Sequence, residues 1–158
     1  MSEELPITLE GSGLKIAIAI AKFNELISRK LLDGAEKTLL SLGLSHHDIM
    51  VAWVPGSFEL PIIAKQFAVS NKFDAVICLG TIIRGETPHF DYVAGEASSG
   101  ISSVGLETGV PVIFGVLTTD NTDQAMDRAG GRMGHKGSEA ATAAVHMANL
   151  IRDLKNLR

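Results

Sequence analysis

The sequence predicts an α/β fold, a three-layer α/β/α sandwich around a four-stranded parallel sheet. Two observations carry that prediction. Four short apolar runs, none interrupted by a charge, read as strands buried on both faces. Between them, apolar residues recur at intervals of three and four, the period of a helix with one face on a core. Strand and helix in alternation imply right-handed βαβ units, hence parallel strands with helices on both sides.

The first run, Ile16 to Ala21, precedes Ile27, Leu31, Ala35, Leu39 and Leu42, which share a helix face that Gly43 is placed to end. The second run, Ile49 to Val54, precedes Leu60, Ile63, Ala64, Phe67 and Ala68, again one helical face. The third, Ala75 to Leu79 continuing to Ile83, leads to a helix with its own punctuation. Thr87 is placed to cap it, Pro88 suits its first turn, Val93, Ala97 and Ile101 share its inner face, and Gly109 and Pro111 end it. The fourth run, Val112 to Leu117, is followed by a polar, glycine-containing stretch. A last helix then starts near Ser138, with Ala141, Ala144, Val145, Ala148 and Ile151 facing inward. The whole is a flavodoxin-like arrangement, in which ligands gather beyond the carboxyl ends of the strands.

No internal repeat, low-complexity tract or Pro/Ser-rich linker divides the chain. Residues 1–158 therefore read as a single domain, with about 1–13 as an extended N-terminal segment. A net charge of −4 argues against a groove for nucleic acid built on massed Lys and Arg, but leaves room for a local basic pocket. The single cysteine, Cys78, excludes an internal disulfide framework, and its apolar setting predicts a buried thiol. The acidic start has no basic region before an apolar core, and no apolar run approaches the ~18 residues of a membrane span. A cytoplasmic protein without a membrane is the expectation.

Four segments that follow strands could carry chemistry. In Lys22-Phe23-Asn24-Glu25, Phe23 either offers a flat face for a planar ligand or closes the core under the first helix. In Pro55-Gly56-Ser57-Phe58-Glu59, free backbone amides and the Glu59 carboxylate suit amides or sugar hydroxyls; the plainer reading makes Ser57 a helix cap and Glu59 a first-turn acid. The segment Gly80 to Asp91 is the densest in polar groups. It puts His89 in the first turn of a helix, where the positive end of the dipole disfavours an imidazolium and a neutral base could move protons; a surface histidine fits the same spacing. Arg128 with Gly130 to Lys136 could hold a phosphate, or could be a solvated basic loop.

Other chemistries lack their motifs. No Gly-Lys-Ser/Thr follows a glycine loop, Gly131, Gly134 and Gly137 do not follow a strand, and no Gly-x-Ser-x-Gly is present. Neither the aspartates at 120, 123 and 127 nor His46-His47 have the spacing of a calcium or zinc site. No metal is expected.

Taken together, Ala21-Lys22-Phe23-Asn24, Val54 to Glu59, Gly80 to Phe90, Pro111 to Thr118, and Arg128 with Lys136-Gly137 resemble the lumazine synthases of riboflavin biosynthesis, in order and nearly end to end. The resemblance implies condensation of 5-amino-6-(D-ribitylamino)uracil with 3,4-dihydroxy-2-butanone 4-phosphate to 6,7-dimethyl-8-ribityllumazine, phosphate and water, with no cofactor. It implies Phe23 stacking on the pyrimidine, Ser57, Phe58 and Glu59 on the ribityl chain, and Thr81, Ile82 and Ile83 along the uracil edge. Phe114 would close the far side, Glu86, Thr87 and Arg128 would hold the phosphate with Lys136 as a further candidate, and His89 would shuttle protons. It further implies a site shared between neighbouring subunits, pentamers, a 60-subunit icosahedral shell, and riboflavin synthase as a possible partner. A small-ligand binder, or a shell protein with a vestigial pocket, are the alternatives.

Overall fold

The computed structural model describes residues 1–157. Its four long strands coincide with the four apolar runs. Strands β1 (Ile16–Ala21), β2 (Ile49–Val54), β3 (Ala75–Ile83) and β4 (Val112–Thr119) form one parallel sheet in the order β2-β1-β3-β4. β4 runs two residues past Leu117, because Thr118 and Thr119 pair with Ile82 and Ile83 at the end of β3. Helices α1 (Glu25–Ser41), α2 (Leu60–Val69), α3 (His89–Thr108), α4 (Thr122–Asp127) and α5 (Lys136–Asn156) complete it, with a two-stranded hairpin, β5 (Ala129–Gly131) and β6 (Gly134–His135).

Every residue of β1 is buried, and its alternation sorts the core into two halves. Ile16, Ile18 and Ile20 pack with Leu31 and Leu39 of α1 and with Ala141, Ala144 and Val145 of α5. Ala17, Ala19 and Ala21 face the other way, toward Leu60 and Ala64 of α2 and Ala97 and Ile101 of α3. Period two along one strand thus assigns two long helices to each face, with Ala125 of the short α4 joining α1 and α5 on the first. Small residues on the second face bring α2 and α3 close to the sheet, in the flavodoxin-like three-layer sandwich.

The boundaries follow local chemistry. Gly43 (φ 111°) follows the end of α1 and Gly109 (φ 73°) ends α3, both in the backbone region that glycine enters without steric cost. Thr87 does not cap α3. That helix opens at His89 with Pro88 at the cap position and no side-chain cap bond, since a proline ring at φ −68° already carries the chain into helix. Ser57 is likewise no cap. It starts a one-turn 3₁₀ segment, Ser57–Glu59, after Gly56, and α2 begins only at Leu60. α5 starts two residues before Ser138, because the His135 ring caps it. The polar stretch after β4 is not a loop throughout. Asn121 accepts from the Gln124 N–H at 2.9 Å and caps α4, and the glycines build the hairpin. Residues 1–11 carry no helix or strand, and Asn149 of α5 donates to the carbonyls of Thr8 and Glu10, 3.0 Å each.

Candidate active site

Chain order places β2 on one side of β1 and β3 on the other, so the sheet changes direction between β1 and β3. A crevice opens at the strand tips of such a switch point, because the connections leave on opposite faces. Asn24, just past β1, spans it. Its side-chain amide donates to the Thr81 carbonyl on β3 at 2.8 Å, and its own carbonyl accepts from the N–H groups of Ile27 and Ser28, 3.1 Å each. Its backbone is left-handed, φ 61°, a conformation that costs a non-glycine residue ~1–2 kcal/mol and that asparagine tolerates better than most. The Phe23 N–H donates to the Pro55 carbonyl at 3.1 Å. Held on both sides, Phe23 is 73% exposed, so it does not close the core under α1.

The crevice is a groove of about 730 Å³. Phe23, Phe58, Phe90 and Tyr92 supply aromatic surface; Asn24, Ser57, Glu59 and Thr81 supply donors and acceptors; His89 and Thr87 lie along it. Ser57 is buried against β3. That close approach needs a glycine at position 80, since a Cβ there would stand 2.5 Å from the Ser57 hydroxyl oxygen. Below it, the Ser28 and Thr81 hydroxyls lie 3.3 Å apart and buried, fixing Thr81 from the α1 side. A mostly apolar cleft with a few fixed polar groups suits a flat molecule carrying hydroxyls or amides.

His89 heads α3, as its spacing predicts, and its side chain is exposed to the groove. The segment before it is pinned by Arg84. The guanidinium lies 3.2 Å from Asp120 after β4, 3.6 Å from Asp91 on α3, and 4.4 Å from the centre of the Phe90 ring. Exposed ion pairs are individually weak. One planar cation shared by two carboxylates and a ring nevertheless ties the ends of β3 and β4 to the first turn of α3.

Of the residues singled out from sequence, Phe23, Ser57, Phe58, Glu59, Thr81, Ile82, Ile83, Thr87 and His89 all line this one groove. Glu86 is exposed and lines neither this groove nor the next. Phe114, Arg128 and Lys136 do not reach it. They line a separate cleft of about 310 Å³ with Val116, Leu117, Thr118, Met133 and Glu139. Arg128 is half-buried there, its guanidinium donating to the Gln124 carbonyl at 3.1 Å. Tyr92 and Val93 complete the groove and were not anticipated. Their signal was present, since positions three and four after His89 fall on its side of a helix.

Fold and groove define an α/β protein with a ligand cleft at the switch point of its sheet, equipped with aromatic faces, hydroxyl partners and an imidazole. Residues 13–152 match the family model of 6,7-dimethyl-8-ribityllumazine synthase. The chain belongs to that family, and is thereby an enzyme of that kind, a transferase of riboflavin biosynthesis acting on small molecules. No helix among the described residues is long and apolar enough to cross a membrane. Nor do three or more His, Cys, Asp or Glu side chains among them gather in a group that could hold a metal ion.

Proposed function

We propose that the chain condenses 5-amino-6-(D-ribitylamino)uracil with 3,4-dihydroxy-2-butanone 4-phosphate, giving 6,7-dimethyl-8-ribityllumazine, phosphate and water, without a cofactor. Residues 1–158 act in this reading as one domain with an N-terminal arm. Phe23 stacks on the pyrimidine, the main chain of Thr81, Ile82 and Ile83 meets its edge, and Ser57, Phe58 and Glu59 take the ribityl hydroxyls. The amine adds to the ketone, water leaves to give an imine, phosphate is eliminated, and the ring closes with loss of water. His89, at the rim of the groove, carries the protons of these steps.

The observation that supports this most directly is how one chain divides the required groups. The groove has aromatic faces, hydroxyl partners and the imidazole, but no Lys or Arg among the described residues lines it. The two cations suited to a phosphate, Arg128 and Lys136, stand with Phe114 on another cleft. A substrate pair that needs both sets needs two copies of the chain, the groove of one facing the Arg128 cleft of its neighbour. Thr87 then approaches the phosphate from the groove side, with Glu86 next to it in the chain but outside the groove's lining. Self-association into pentamers, and of twelve pentamers into a shell, follows as the proposed working state, in the cytoplasm and with riboflavin synthase as the consumer of the product.

The test is product formation, followed by lumazine absorbance, with each substrate omitted in turn. Activity requiring both substrates is expected; binding of the pyrimidine without turnover would leave a ligand-binding protein. Holding two reactants together can itself lower a barrier by ~7–11 kcal/mol, whereas one placed acid or base gives ~10²–10⁴-fold. The His89→Ala enzyme is therefore expected to be slow but active, with a changed pH profile. Unaltered kcat/KM at every pH would remove His89 from the mechanism. Light scattering separates pentamer from shell.

A further inference from the structure

Between Arg128 and Lys136 the chain makes the β5–β6 hairpin, and the two cations are tied across it: the Lys136 N–H donates to the Arg128 carbonyl at 2.8 Å. His135 immediately precedes Lys136, the first residue of α5, and pairs with Ala129 of β5. Its ring is wedged between two glycines. A Cβ on Gly34 of α1 would collide with it, and one on Gly130 would stand 3.2 Å from its Cδ2. Nδ1 accepts from the Ser138 N–H at 3.3 Å and so caps α5, while the Ser138 hydroxyl donates to the Gly34 carbonyl at 3.2 Å. The ring is thus the wedge that fixes hairpin, α1 and α5 relative to one another.

Accepting at Nδ1 requires a neutral ring with its proton on Nε2. A second proton replaces that acceptor with a donor aimed at another N–H, and sets a cation at the positive end of a helix. Within four residues in sequence of the ring's contacts Gly34, Gly130 and Ser138, the charged side chains are Lys30, Asp33, Glu36 and Lys37 on α1, Asp127, Arg128 and Arg132 at the hairpin, and Lys136 and Glu139 on α5. Asp33 pairs with Lys37 at 2.9 Å and Asp127 with Arg132 at 3.0 Å, and among the described residues the imidazole's hydrogen bond is to the Ser138 N–H, not to a carboxylate.

We propose that His135 is a positioning residue for the anion-binding end of the site. Neutral, it holds Arg128 and Lys136 in register; protonated, it releases the cap and hairpin and weakens the grip on the phosphorylated substrate. The proposal rests on the reading of Arg128 and Lys136 as phosphate ligands.

Wild type is compared with His135→Asn, which keeps a neutral cap acceptor, at about pH 7.5 and about pH 5.5. His135→Asp, another good cap, replaces it should the Asn variant not fold. Hydrogen exchange of the peptide spanning 129–140, corrected for the intrinsic effect of pH, reads the cap without substrate. KM values for the ketone phosphate and for the pyrimidine, each taken as a wild-type to variant ratio, read the positioning. The ratio cancels the effect of pH on the substrate phosphate and on the rest of the site, which both enzymes share. On acidification the wild-type peptide is expected to open while the variant's stays protected. The ketone ratio should rise about fivefold, the equivalent of a lost cap worth ~1 kcal/mol, with the pyrimidine ratio unchanged. A wild-type peptide that stays protected, equal opening in both proteins, or opening with a flat ketone ratio each overturns the proposal. Should neither enzyme turn over the ketone phosphate at either pH, the functional reading falls instead, and exchange alone decides whether His135 holds the hairpin.

Discussion

Asn24 joins three structural tasks in one residue: a left-handed backbone, a side-chain bond across the switch point to Thr81, and a backbone carbonyl that is the first acceptor of α1. The conformation and the amide can be separated by substitution. Asn24→Gly removes the bond but suits the backbone, whereas Asn24→Ala removes the bond and adds ~1–2 kcal/mol of backbone strain. Thermal unfolding should rank the alanine variant below the glycine variant, and both should raise KM for the pyrimidine more than for the ketone. An alanine variant as stable as wild type would show that φ 61° is not imposed by the fold. Cys78 tests the core. Burial in β3 pushes its thiol up from 9.0 to about 12. Its folded-state value is raised, so the stability linked to it is intact below the unfolded value and declines as pH climbs from about 9 toward 12. In the native protein at about pH 8 a thiol reagent should not label it, and denaturant should expose one reactive group. Rapid native labelling would mean that the sheet opens locally.

At the scale of elements, the seam between α1 and α5 depends on absent side chains. Gly137 lies against the Leu31 carbonyl so closely that a Cβ there would overlap it, while at Gly34 the obstacle is the His135 ring. A ring can tilt, but a helix carbonyl cannot leave without bending α1. Gly137→Ala should therefore destabilise more than Gly34→Ala, by ~1–3 kcal/mol as is usual for overpacking, measured by denaturant unfolding. The reverse order would place the tight contact at the ring. From sequence, Gly137 reads as one member of a flexible glycine loop. What it does is set by a helix about a hundred positions away, which local pattern does not encode. The four strands and four long helices were legible because apolar period survives in the chain itself. α4 and the hairpin were not, being too short to show a period and held by Asn121 and by glycine geometry.

For the whole molecule, the decisive feature is the separation of the Phe23 groove from the Arg128 cleft. In the proposed two-chain site, Phe23→Ala and Arg128→Ala damage different halves. Each variant alone should be nearly inactive with its partner substrate. Co-assembled in equal amounts at random, they should regain about a quarter of wild-type activity, since that share of interfaces joins two intact halves. Mixing without recovery, under conditions where the subunits exchange, would confine the site to one chain. The exposed aromatic surface of Phe23, Phe58 and Tyr92 fits a groove that a neighbour covers.

The sequence by itself determined the layers of the sheet, the residues that end its helices, and the polar segments at its strand tips, because each is written in neighbouring residues. Tertiary structure alone decided that Phe23 points outward, that Ser57 is buried under Gly80, and that the cations lie apart from the imidazole. Those outcomes depend on strand order and on approaches between backbones far apart in the chain. Such contacts are fixed only when the sheet and its helices close on one another.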